Sequence, residues 1–193
     1  MPFNVALVLF PDFEELDFAG PWEVFGMVER YIDQGWRVYS VAAQRPVRAF
    51  HGMTVEPDFL FGEAPPADLI CVPGGVGTRA AMKDEALIGY IRRTGGAAQH
   101  VTSVCTGALL LHSAGFLDGR RATTHWGAIG ELRALGRGTE VVEGARWVHD
   151  GNVITSAGVS AGIDMALYVV GELISPEARA NVRKFMEYDP APP

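Results

Sequence analysis

Few residues in this chain have both the type and the placement to do chemistry, and Cys105 leads them. It ends the run His100-Val101-Thr102-Ser103-Val104-Cys105 and is followed at once by Thr106-Gly107-Ala108-Leu109-Leu110-Leu111. A β-branched, strand-like stretch therefore passes through a thiol into an apolar helix with no connecting loop. That layout puts the sulfur on a sharp strand-to-helix turn, where free helix amides and the positive end of the helix dipole favour thiolate. The chemistry offered is attack by a soft nucleophile; the alternative is a buried cysteine packed as a small hydrophobe. Cys71, inside Asp68-Leu69-Ile70-Cys71-Val72-Pro73, reads as core. Glu14, Glu15 and Asp17 precede a helical pattern, where acids complement the macrodipole by ~0.3–1 kcal/mol each. Of the five histidines, His125 in Thr123-Thr124-His125-Trp126 is the candidate for a crevice, against a purely local hydrogen-bonding role. His149 is followed by Asp150-Gly151 rather than by an H-x-E pattern, which counts against a Cys-His-Glu relay. No pair of histidines or cysteines has metal-ligand spacing, so neither a metal nor a cofactor is expected.

The elements that must position these residues alternate strand with helix. Phe3–Phe10 is a continuous apolar run, as for a parallel strand covered on both faces, and Pro11-Asp12 breaks it. An acidic stretch leads into an amphipathic segment ending near Gln34-Gly35, with Phe18, Trp22 and Phe25 at helical spacing; such a stripe is core, part of it a possible interface. Trp36–Ala43 reads as a second strand and Val47–Phe59 as a hairpin excursion through His51-Gly52. Leu69–Val72 is the next buried strand and closes on Pro73-Gly74-Gly75. A helix is expected over Arg79–Arg93, stopped by Gly95-Gly96. After the Cys105 unit come a stop at Gly115, a turn at Asp118-Gly119-Arg120 and a helix over His125–Leu135. Arg146–Val148 and Asn152–Ser156 form a hairpin through Asp150-Gly151, and Ser160–Met186 is helical with a break at Pro176. The expectation is one α/β domain over residues 1–188, a doubly wound, mostly parallel sheet with helices on both faces, and a loose tail at 189–193. In such sheets ligands sit at the carboxyl ends of the strands. The Pro11–Asp17 loop, the Gly74-Gly75 loop and Cys105 all follow strand ends and can line one crevice, with Val159 and Ser160 shaping its wall.

Composition bounds the function classes. The chain has 193 residues, 48% hydrophobic and 20% charged, with a formal charge of −7. That acidity and the lack of any basic run beyond Arg92-Arg93 or Arg120-Arg121 argue against a nucleic-acid partner. The start Met1-Pro2-Phe3-Asn4 lacks a signal peptide's charged and apolar regions, and no apolar run is long enough for a membrane span, so a cytoplasmic location and no membrane partner are expected.

Five strings in order, V-A-L-V-L-F-P-D-F-E-E-L-D-F-A-G-P (5–21), C-V-P-G-G (71–75), S-V-C-T-G-A (103–108), R-A-T-T-H-W (121–126) and I-T-S-A-G-V-S-A-G-I-D-M-A-L (154–167), resemble the ThiJ/PfpI superfamily, which has the class-I glutamine-amidotransferase-like fold. Two positions separate its branches. Asp17 in Leu16-Asp17-Phe18-Ala19-Gly20-Pro21, where many members have glutamate, and Thr106 after the cysteine, where protease-like members have histidine, are similar to the isocyanide hydratases. The A-T-T-H-W and G-V-S-A-G-I-D strings also occur in amidase-like sensor domains of AraC-type regulators, whose helix-turn-helix region is not expected before Pro193. The resemblance implies a homodimer acting on a small molecule with water as co-substrate. Cys105 would be the nucleophile and Asp17 the acid-base partner, with Thr106 orienting water or substrate or merely capping its helix. Gly75 and Thr106 amides would meet developing charge, beside Gly74, Val159 and Ser160. A carboxylate beside a thiolate shares a proton with it, and Asp17 is expected to hold that proton near neutral pH. The other readings are a glyoxalase- or deglycase-like enzyme on the same cysteine, and a non-enzymatic redox or ligand sensor.

Overall fold

The computed structural model describes residues 2–33 and 35–189; Gln34 and the expected tail beyond Asp189 lie outside them. In chain order the elements are β1 (Phe3–Leu9), α1 (Glu15–Met27), β2 (Trp36–Ala42), β3 (Val47–Arg48), β4 (Thr54–Val55), β5 (Phe59–Leu60), β6 (Leu69–Val72), α2 (Thr78–Ala81), α3 (Glu85–Ala97), β7 (His100–Ser103), α4 (Gly107–Ser113), β8 (Arg121–Ala122), α5 (Ile129–Ala134), β9 (Glu140–Val141), β10 (Trp147–Asp150), β11 (Val153–Ser156), α6 (Ala161–Leu173) and α7 (Pro176–Met186). A π turn, Val28–Ile32, extends α1, and a 3-10 turn, Trp126–Ala128, precedes α5.

The central sheet has the order β10-β11-β7-β6-β1-β2-β5. All neighbours are parallel except β10, which pairs antiparallel with β11 at one edge. β1 lies in the middle, and its residues Val5–Leu9 are all buried, as a strand covered on both faces requires. Helices α1, α6 and α7 pack as one group, and α2–α5 form the other. The chain leaves β1 for β2 on one side but leaves β6 for β7 on the other. The neighbours β1 and β6 thus mark the place where the connections diverge, and a crevice opens there at the carboxyl ends.

Two expectations about helices are corrected. The stretch after Gly77 is two helices, because Asp84 interrupts it: its carboxylate accepts from Ala86 and Leu87 N–H at 2.9 and 3.1 Å and starts α3 as an N-cap. Gly95-Gly96 does not stop α3, which runs to Ala97; Gly95 is buried against the Phe116 ring, where a side chain would not fit. The hairpin expected over Val47–Phe59 holds for β3 and β4, but Phe59 belongs to β5, which pairs with β2 at the sheet edge. The aromatic stripe is core in the main: Phe18 and Phe25 are buried, and the half-buried Trp22 packs its ring 5.3 Å from Phe18. Among the described residues no helix is long and apolar enough to cross a membrane.

Candidate active site

Three strand ends converge at the crevice. After β7, Val104 N–H donates to Val72 O, and Cys105 adopts φ 56 before α4 begins at Gly107. A non-glycine residue in this left-handed region is uncommon, and it turns the side chain out of the line of the strand. The turn is braced from its backbone side: Cys105 N–H points at the Ser156 and Ala157 carbonyls, each at 3.2 Å, and Cys105 O accepts from Thr124 Oγ1 at 2.8 Å. The sulfur faces the amides of Thr106 and Val159. Val159 itself has φ 52. For a β-branched residue that is a strained conformation, and its N–H stands beside the Cys105–Asp17 pair and lowers both groups.

Asp17 comes from the first turn of α1 and is completely buried. Its Oδ2 accepts from Gly74 N–H at 2.9 Å, Oδ1 accepts no hydrogen bond from the described residues, and the carboxyl interacts with the Cys105 side chain. Gly74 permits this closeness, because a Cβ on it would sit 2.5 Å from Thr106 N and 2.9 Å from Asp17 Oδ2. Burial raises the Asp17 carboxyl to about 7; the Glu14 charge adds to the rise and the Gly74 N–H opposes it. Burial, then the Asp17 charge, pushes Cys105 up to about 12 against the Thr106 and Val159 amides. The Asp17 charge raises Cys105, while the thiol, as a hydrogen-bond donor, opposes the rise of Asp17, so the two titrate as a coupled pair that gives up a first proton near neutrality and a second only far above it. Cys71 is fully buried in β6, as expected, and burial pushes its thiol up to about 12.

The remaining expected residues divide. Thr106 and Gly75 are locked together: Thr106 Oγ1 accepts from Gly75 N–H at 2.9 Å and donates to Gly75 O at 3.1 Å. Gly75 N–H is therefore not available to developing charge, and the Thr106 hydroxyl holds the β6 loop against α4 rather than capping its own helix. The amides left facing the sulfur are those of Thr106 and Val159. Ser160 is turned away: it is exposed and accepts from Arg146 Nη2 at 3.1 Å. His125 reaches the crevice, and its Nδ1 also accepts from Gly127 N–H at 3.1 Å. A cavity of about 330 Å³ over Cys105 is lined by Glu14, Gly75, Val76, Arg79, Thr106, His125, Gly127, Ala128 and Val159. His149 bonds Tyr168 and the Gly151 carbonyl and is not part of this cavity's lining.

Sequence reasoning missed three of these features. Glu14 and Arg79 line the cavity, although the first read as a macrodipole partner and the second as an ordinary helix residue. His51, expected only as part of a hairpin turn, is bonded to Glu15 at 2.8 Å, because the β3–β4 turn folds back onto the start of α1. No local spacing signals either arrangement.

The fold and the cysteine turn define an α/β protein with a thiol and a buried carboxyl at the switch point of a parallel sheet. The sequence signature of the DJ-1/PfpI family matches residues 3–172, and the chain belongs to that family. It is 38% identical to the isonitrile hydratase of Pseudomonas putida over all of this chain and 82% of that protein. It is 30% identical to the HTH-type transcriptional regulator CdhR of Pseudomonas aeruginosa, over 91% of this chain but only 52% of the regulator. A deglycase of Pyrococcus horikoshii is 28% identical over 75% of this chain and 84% of its own. Among solved structures, a ThiJ/PfpI family protein from Pseudomonas syringae superposes with a TM-score of 0.90 at 35% identity, covering 100% of this chain and 78% of that one.

Proposed function

We propose that the protein is a cysteine-dependent hydratase that adds water to an isocyanide and releases an N-formamide. The observation that carries this reading is the completely buried Asp17 carboxyl, raised to about 7 and placed against the thiol of Cys105. A similarity that runs through the whole chain to an isonitrile hydratase supports it. After one proton is lost the pair keeps the other shared between its two groups, and the tautomer that reacts carries it on Asp17 with Cys105 as thiolate. The sulfur adds to the terminal carbon of the isocyanide while the Asp17 proton passes to that carbon, giving an N-substituted thioimidate and a carboxylate. The Asp17 carboxylate then takes a proton from water as its oxygen adds to the same carbon, and passes that proton to nitrogen. Collapse breaks the carbon–sulfur bond: the formamide leaves, the thiolate is regenerated, and the hydroxyl proton returns to Asp17. The Thr106 and Val159 amides stabilise the sulfur's charge at both ends of the cycle. Substrate and water suffice, no cofactor or metal enters, and the protein acts as a homodimer.

The test is steady-state conversion of an aryl isocyanide to its formamide by the reduced wild type, Cys105→Ala and Asp17→Asn. Turnover by the wild type, lost by at least a thousandfold in both variants, is expected. Absence of turnover by folded, reduced wild type across several isocyanides contradicts the reading and moves the search to dicarbonyl substrates of the deglycase kind.

A further inference from the structure

The rim of the cavity over Cys105 carries two charged groups, Glu14 and Arg79, and they are not equivalent. Arg79 is already engaged. Its Nε and Nη2 donate to the two carboxylate oxygens of Glu131, and its Nη1 donates to Thr78 Oγ1 at 3.2 Å. The planar fork that would grip an incoming carboxylate is occupied by one from α5. Glu14 has no such partner. Its carboxylate accepts no hydrogen bond among the described residues, and the nearest cationic group is His51 Nδ1 at 3.7 Å, which lies 2.8 Å from Glu15. The Glu14 side chain is only 21% exposed. Its backbone is pinned by donation to Gly74 O at 2.9 Å, so it stands on the same loop that delivers Asp17. Its charge is felt at the reacting groups, since it raises the Asp17 carboxyl.

We infer that Glu14 sets the charge class of the substrate: the site takes isocyanides with neutral or cationic R groups and rejects those bearing a carboxylate close to the isocyano carbon. The inference rests on the hydratase reading for the chemistry of the substrate, but not for the field at Cys105. A like charge held across a partly buried cavity is screened less than one in water, and a discrimination of about tenfold is expected.

Alkylation of Cys105 reads that field without any turnover. The thiolate displaces iodide from either neutral iodoacetamide or anionic iodoacetate, and the ratio of the two rates cancels changes in the sulfur's own reactivity. Cys71 is 0% exposed, so peptide mapping can assign the label to Cys105. The iodoacetate-to-iodoacetamide ratio is expected to rise about tenfold in Glu14→Gln, to stay low in Glu14→Asp, and to change less than about twofold in Arg79→Gln. In parallel, kcat/KM for isocyanoacetate relative to its neutral methyl ester is expected to rise by a similar factor in Glu14→Gln. An unchanged alkylation ratio in Glu14→Gln overturns the inference even if isocyanides are turned over, and so does a ratio that collapses in Arg79→Gln. A raised ratio without isocyanide turnover upholds charge selection by Glu14 and removes the hydratase reading instead.

Discussion

At the scale of the residue, one proton shared by Asp17 and Cys105 decides the proposed reactivity. The proposed hydration needs the pair to have lost its first proton and kept its second. With Asp17 raised by burial to about 7, kcat/KM is expected to rise with pH through about 7 and then level off, and a pH–rate profile checks this. The same group shapes stability. The folded carboxyl titrates at about 7 against an ordinary 3.8, so the folded state holds a proton that the unfolded chain gives up. Its contribution is complete below pH 3.8 and is lost as pH rises through about 7. Asp17→Asn should therefore be more stable than wild type at pH 8, by on the order of 2–4 kcal/mol, with no gain at pH 4; denaturant melts at the two pH values decide it. The thiol at a strand-to-helix turn was legible because residue type and local pattern coincide at Cys105. The exchange between Thr106 and Gly75 was not, since it depends on two loops meeting, and no local pattern encodes that.

At the scale of the element, the strands were the readable part. β1 and β6 are apolar runs, whose burial on both faces writes itself into composition, and β7 shows as a short β-branched stretch before Cys105. Helix boundaries were less so. Gly95 looked like a stop but is kept small by the Phe116 ring, a tertiary reason that overrides propensity, and Asp84 acts as a cap inside what looked like one continuous helix. Asp84→Ala is expected to cost about 1 kcal/mol in thermal or denaturant unfolding through loss of the cap. Val159, at φ 52 between β11 and α6, gives a second check. Val159→Gly relaxes that backbone and should leave stability unchanged or raise it by up to about 1 kcal/mol, the opposite of the usual loss on removing a β-branched side chain. A loss above 2 kcal/mol would show that the side chain's packing outweighs the strain.

At the scale of the whole molecule, the C-terminal segment is tied to the site's own wall. Asp164, 1% exposed in the first turn of α6, accepts from Arg146 and from Tyr188 OH at 2.9 Å, and Arg146 in turn holds Ser160 beside Val159. Arg146→Ala leaves that carboxylate buried with one partner fewer and should cost on the order of 3 kcal/mol. Removing Arg45, paired with Glu63 at the surface, should cost under about 0.5 kcal/mol. The family signature lay in short strings spread along the chain, whereas this tie joins residues far apart in sequence and only the fold reveals it. The central claim, a covalent intermediate on Cys105, is tested most directly by quenching the enzyme in acid during turnover of an isocyanide and measuring the mass of the Cys105 peptide. A gain equal to the mass of the isocyanide is expected on that peptide in wild type and absent from Cys105→Ala. Formamide production with no adduct on Cys105 at any quench time would contradict it.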